Sequence, residues 1–185
     1  MPHLIRLATE ADLPQVAAVH VASWQNAFRG VVPDAVLDRM TVEGSLQRWV
    51  KHFAACPPNM AVATGDDGQI AGFCYAGPIA DNGHNTPYRF RVFALHTRPE
   101  LRGQGIGAAL LHNAFHRAVH HEGLDAAILW TLEALHRSRR FYEREGGTLV
   151  KTAMWTVDGV SLPEVAYGWQ LPCNSAGDGS PPAAP

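Results

Sequence analysis

Arg102-Gly103-Gln104-Gly105-Ile106-Gly107 joins one cation, three glycines and a helix start within six residues. Glycine has no Cβ, so such a turn takes positive φ without penalty and lets backbone N–H groups come close to a ligand's phosphate oxygens. The run that follows, Ala108-Ala109-Leu110-Leu111-His112-Asn113-Ala114-Phe115, is rich in strong helix formers and carries apolar residues at helical spacing. Its first turn therefore aims unpaired N–H groups and the positive end of the helix dipole into the loop, which suits a diphosphate.

The segment upstream, Arg89-Phe90-Arg91-Val92-Phe93-Ala94-Leu95-His96-Thr97, reads as a strand buried on both faces. Strict alternation puts Phe90, Val92 and Ala94 on one side and Phe93 and Leu95 on the other. Two familiar phosphate loops fit poorly here. A Walker A loop ends in Gly-Lys-Ser/Thr, whereas this one ends Gly-Ile-Gly. A dinucleotide fingerprint, Gly103-x-Gly105-x-x-Ala108, needs its first glycine directly at the strand end, and Arg98-Pro99-Glu100-Leu101 intervenes.

With Arg102, Gly105 and Gly107 at the spacing Gln/Arg-x-x-Gly-x-Gly/Ala, the loop resembles the acyl-CoA loop of the GCN5-related N-acetyltransferase (GNAT) superfamily. Leu95-His96-Thr97-Arg98-Pro99 is similar to that family's fourth strand and following proline, and Arg139-Arg140-Phe141-Tyr142-Glu143-Arg144-Glu145-Gly146-Gly147 to its late helix. The resemblance implies an α/β fold with a mixed, mostly antiparallel central sheet flanked by helices, and one parallel β-α-β crossover at the acyl-CoA site. It also implies acetyl-CoA as acyl donor and a primary amine of a small molecule or peptide as acceptor. Residues 102 to 107 (Arg102, Gly103, Gln104, Gly105, Ile106, Gly107) would hold the diphosphate. Backbone groups of Leu95, His96 and Thr97 would meet the pantetheine or thioester, as an added strand meets a sheet edge.

Tyr142 matches the family's tyrosine, whose phenol donates to the departing sulfur. A phenol of pKa ~10 facing a thiol of ~8.5 favours a hydrogen bond over full proton transfer. Relatives often place a glutamate in the strand containing Leu95; this strand has Arg91 and no carboxylate. The candidate bases are His96, for its intrinsic pKa, and Glu133, just past the next strand. Each also has an ordinary reading, as a hydrogen-bonded strand histidine and as a helix-start carboxylate. Where relatives carry an asparagine before the tyrosine, this chain has Leu135-His136-Arg137-Ser138, so one donor contact is missing.

Composition agrees with a small enzyme. The 185 residues are 46% hydrophobic, enough for one domain with a sizeable core. A formal net charge of -2 gives no reason to expect nucleic acid or a membrane surface as partner. No apolar stretch spans a bilayer, and the N-terminal residues lack a signal-peptide pattern. Cys56, Cys74 and Cys173 are sparse and not at zinc spacing, which points to reduced thiols and a cytoplasmic location. His112, His116 and His120 share a helix face, yet the apolar stripe Leu110, Leu111, Ala114, Phe115 and Ala118 leaves them on the solvent side; no metal is expected. A homodimer is compatible with all of this.

The remaining elements follow from pattern. Leu4 to Leu7 is a strand, Thr9-Glu10-Ala11-Asp12 a capping box opening a helix to about Ala27, and Asp34 to Met40 and Val42 to Ala54 are further helices. Met60 to Thr64 and Gln69 to Gly77 form a hairpin. The loop helix runs to about Glu122, Ala126 to Leu132 is a buried strand, and Thr148 to Val157 pairs with Glu164 to Leu171. The domain thus covers residues 1–171, with a disordered tail at 172–185 rich in proline, glycine, alanine and serine. Trp24, Phe28 and Arg29-Gly30-Val31-Val32-Pro33, with Asp81, Asn82 and His84, are candidates for the acceptor wall. Two other functions compete with acyl transfer: a CoA-binding module without catalysis, and a dinucleotide-dependent oxidoreductase.

Overall fold

A computed structural model describes residues 3–55, 59–80 and 87–172. The expected tail beyond Pro172 lies outside them, as do Asp81, Asn82, His84, Cys56 and Cys173. Strand β1 (Leu4–Leu7) leads through a 3-10 turn, Glu10–Asp12, into α1 (Leu13–Ala27). Helices α2 (Asp34–Asp38) and α3 (Val42–Ala55) precede β2 (Met60–Thr64), β3 (Ile70–Pro78) and β4 (Phe90–Thr97). A second 3-10 turn, Pro99–Leu101, and the glycine loop lead to α4 (Ile106–His120). Then come β5 (Ala126–Leu132), α5 (His136–Arg144), β6 (Thr148–Val157) and β7 (Val160–Gln170).

The described strands form one seven-stranded sheet in the order β1-β2-β3-β4-β5-β7-β6. Every neighbouring pair is antiparallel except β4 with β5, which α4 joins as the parallel crossover. The mixed, mostly antiparallel architecture is thus the expected one.

The entry to α1 shows how local chemistry sets an element. The Thr9 backbone N–H donates to Asp12 Oδ2 at 2.7 Å, and the Arg6 guanidinium grips both Asp12 oxygens at 2.7 Å. The Arg6 bonds hold the Asp12 carboxyl down to about 2. The chain direction after β1 is thereby fixed by side chains six residues apart.

Helix α4 covers one face of the sheet, burying Leu110, Leu111 and Ala114 against Phe90, Val92 and Leu129. On the opposite face α1 and α3 pack Val16, Val19 and Trp49 against Val62, Ile70 and Phe73. Side chains of this kind contribute about 1.5–3 kcal/mol each when fully buried, so the two layers clamp β3 and β4 between them. Gly72 permits the tight fit on the α4 side. A Cβ there would lie 2.7 Å from the His96 carbonyl oxygen and 3.2 Å from Leu110 Cδ1.

Three expectations need correction. Phe93 is 45% exposed, and the alternation through β4 is broken. Tyr75 faces Ala94 while Ala76 faces Val92, so Phe93 is the extra residue of a β-bulge. Leu95 therefore joins Phe90 and Val92 on the α4 face, and Ala94 turns to the α1 face. Second, α2 stops at Asp38, where the Met40 N–H closes a tighter turn onto the Leu37 carbonyl at 3.1 Å. Third, β7 begins at Val160, because Asp158 and Gly159, at φ 53° and 77°, form a tight hairpin turn that carries pairing past Pro163.

Candidate active site

Gly103 and Gly105 adopt φ 85° and 80°, and a Cβ at either would meet no atom within 4 Å. Backbone conformation, and not crowding, is what requires glycine there. Gly105 caps α4 in the left-handed region, and its carbonyl accepts from the Ala109 N–H at 3.0 Å. No protein acceptor among the described residues takes the N–H of any residue from Gly103 to Ala108. Consecutive unpaired donors at a helix start form an anion cradle. Beside it, Arg102 bonds Asn26 Oδ1 on α1. Burial and then the nearby Arg137 lower the Arg102 pKa, with Glu100 opposing, so two guanidinium cations lie close together on this rim.

The parallel pairing of β4 and β5 covers only Phe90–Val92 against Ala127–Leu129. Beyond it β5 pairs with β7 alone, and Ala94, Leu95, His96 and Thr97 are paired only to β3. The strands part where the bulge begins, leaving a strand edge open beside the glycine loop. Loop, strand and α5 converge at Gly107: a Cβ there would sit 3.5 Å from Phe141 Cζ and 4.0 Å from Thr97 Cγ2. The three segments singled out in the sequence thus meet in one place.

Tyr142, next to Phe141, is 8% exposed and packs between Tyr167 and Trp169. Its hydroxyl has no hydrogen-bond partner among the described residues. Burial, then the neighbouring Cys74, raises the phenol well above its usual pKa, so it stays protonated and available as a donor. Cys74 lies on β3 opposite Leu95, and burial pushes its own thiol up to about 12, which keeps it neutral.

His96 projects to the α1 side, where its Nδ1 lies 3.1 Å from Ser23 Oγ. Its ring is 5.2 Å from that of His20, whose Nδ1 lies 2.9 Å from Ser45 Oγ. Burial holds His96 down to about 3 and His20 to about 4, so both are neutral near pH 7. Glu133 follows directly on the end of β5. It is exposed, its N–H donates to the Pro163 carbonyl, and its own carbonyl accepts from Arg139 Nη1 at 3.3 Å.

Several residues at the site escaped sequence reasoning. Glu164 on β7 faces Leu132 across the pair, and burial raises its carboxyl pKa while Arg91 opposes the shift. Arg91 lies over the Phe93 ring at 5.3 Å, with its Nε buried and unpartnered. His20, Ser23 and Asn26 project from α1, and their only sequence signal was polarity on an otherwise apolar helix. Trp24 and Phe28 stack at 4.2 Å and pack with Val31, Val32 and Leu132. The expected acceptor wall is therefore at least partly core. His112 pairs with Glu145 at 3.2 Å, and the His116 and His120 rings lie 4.3 Å apart on the exposed side of α4. Among the described residues no cluster of three metal-ligating side chains occurs.

Comparison with known proteins agrees with this geometry. Residues 18–147 match the model of the Acetyltransferase (GNAT) family. Probable N-acetyltransferase Rv2775 of Mycobacterium tuberculosis is 32% identical over 172 residues, covering 88% of this chain and 91% of that protein. Uncharacterized N-acetyltransferase YuaI of Bacillus subtilis is 27% identical over 165 residues, covering 89% and 91%. The crystal structure of PaiA N-acetyltransferase from Thermoplasma acidophilum in complex with coenzyme A superposes with a TM-score of 0.65 at 20% identity. That likeness, over 89% of this chain and 98% of the other, concerns the fold.

Proposed function

The chain belongs to the GNAT acetyltransferase family, and from that premise we propose that it transfers the acetyl group of acetyl-CoA to a primary amine of a small molecule or peptide. The observation that carries this reading is the run of unpaired N–H groups from Gly103 to Ala108 beside the open edge of β4. A diphosphate satisfies the first, and a pantetheine amide chain satisfies the second.

In the proposed reaction the amine nitrogen forms a bond to the thioester carbon, the carbon–sulfur bond breaks, and the thiolate leaves with the electron pair. A backbone N–H near Leu95 polarises the thioester carbonyl. Tyr142 donates to the departing sulfur, and its raised pKa favours donation without full proton transfer. Glu133 takes the amine's proton through water. His96, too weakly basic for that task, accepts a hydrogen bond from the acceptor and orients it. We place the catalytic domain at residues 1–171 and, from the sparse cysteines away from zinc spacing, the protein in the cytoplasm.

The test is ligand-dependent melting followed by turnover. Acetyl-CoA raises the melting temperature, NADH does not, and an amine panel produces acceptor-dependent free thiol. Stabilisation by NADH alone would replace the proposal with the oxidoreductase. A CoA-binding module without catalysis is the second reading, favoured by Leu135 to Ser138 lacking the family's asparagine; it requires acetyl-CoA binding with no thiol release from any amine.

A further inference from the structure

A pocket of about 200 Å³ opens between α1, α3 and the bulged part of β4. Its inner end reaches Ala94 and His96, at the strand edge where transfer is proposed. Its outer end is formed by Arg48 and His52 of α3. Trp24, Trp49, Tyr75 and Phe93 supply the walls. The volume falls below the roughly 300–1,000 Å³ of sites for drug-sized ligands, and suits a molecule the size of one amino acid.

The polar groups of this pocket are unbalanced. No aspartate or glutamate lines it among the described residues. Arg48 carries the one permanent charge in the described lining, is exposed, and has neither an ion pair nor a hydrogen bond among the described residues. The indole Nε1 atoms of Trp24 and Trp49 are buried donors without acceptors. The positive potential of Arg48 is felt inside, since it adds to the burial that keeps His20 neutral. A polycationic amine entering here would lose water and gain no carboxylate in exchange. An anionic group would find an unpaired guanidinium.

We infer that this pocket binds the acceptor by an anionic group at Arg48, and that the acceptor is an amine bearing a carboxylate, with an apolar body against the aromatic walls. The amine then lies toward Ala94 and His96 while the carboxylate stays at the α3 rim. This rests on the acetyltransferase reading for the reaction, but not for the binding.

The test compares methionine and phenylalanine with their carboxamides and with spermidine. Each is measured twice: by acetyl-CoA-dependent thiol release, and by calorimetric binding to protein saturated with CoA. The free acids are expected to exceed the carboxamides by about tenfold or more in kcat/KM and in affinity. Arg48→Gln brings that ratio to about twofold, and Arg48→Lys restores part of it. Arg48 is exposed, so these variants fold. Equal use of acids and amides, a preference for spermidine, or an unchanged ratio in Arg48→Gln overturns the inference. Arg48-dependent binding of acids without any turnover upholds the pocket and overturns the transferase reading alone.

Discussion

On the α4 side of β4 the groups proposed to recognise a ligand are backbone N–H groups, held by two left-handed glycines and a helix start. On the α1 side they are side chains, drawn from α1, α3, β3 and β4 over more than seventy residues of chain. A backbone cradle depends on a short run of sequence and recognises a chemical group common to many ligands. A side-chain pocket depends on tertiary packing and recognises one ligand's shape and charge. On the proposed assignment, donor recognition is local in the chain and acceptor recognition is dispersed.

The sharpest way to break this division is at Tyr142, the proposed donor to the departing sulfur, which packs in the α4-side layer. Tyr142→Phe is expected to lower kcat for thiol release by about 10²–10³-fold while acetyl-CoA affinity changes less than about twofold. A fall below about threefold would take the phenol out of the reaction.

The acceptor side should instead reveal itself through protons. His20 and His96 have pKa values of about 4 and 3 in the folded protein, against ~6.5 in an unfolded chain. Below pH ~6.5 the unfolded state binds more protons, so stability is fully present above that pH and is lost as pH falls toward 4. For the buried His20 alone the loss reaches on the order of 3 kcal/mol at pH 4. Urea unfolding at several pH values should show this slope, and His20→Phe should flatten it; a parallel slope in the variant would remove His20 as the cause.

Proton removal during turnover tests the boundary between the sides. Glu133→Gln should lower kcat/KM about tenfold or more, and Glu164→Gln less than about threefold. The reverse ranking, with loss of the acidic limb of the pH profile, would move the base to Glu164. The smallest effects belong to the loop itself. Gly105→Ala places a Cβ at φ 80°, costs about 1–2 kcal/mol, and should raise the Kd for acetyl-CoA about fivefold. Gly107→Ala, whose Cβ meets Phe141 in ordinary contact at 3.5 Å, should bind acetyl-CoA almost as the parent does.

The same contrast explains what could be read from the chain. The strands Leu4–Leu7, Met60–Thr64, Ala126–Leu132 and Thr148–Val157 stand where period and apolar runs put them. The loop was legible because glycine and a helix start announce themselves within six residues. Phe93 was misplaced because a bulge has no alternation of its own; only pairing with Tyr75 and Ala76 defines it. The start of β7 is defined by pairing to β6, which runs through Pro163, a residue whose type alone argues against a strand. Glu164 and Arg48 lay in stretches without a motif, and only packing gives them a role.

The extra residue at Phe93 acts as a phase shift between the two proposed recognition sites. Upstream of it, even-numbered side chains face α4; downstream, Ala94 and His96 face α1 and Leu95 faces α4. Deleting Phe93 would restore plain alternation and leave both faces as they are, whereas pairing the whole of β4 without the bulge would exchange the two frames, sending an imidazole into the apolar layer and a leucine into the pocket. A one-residue change of strand register would thus recast the lining of the proposed acceptor pocket, while the loop proposed to hold the donor, set by its own glycines, keeps its shape.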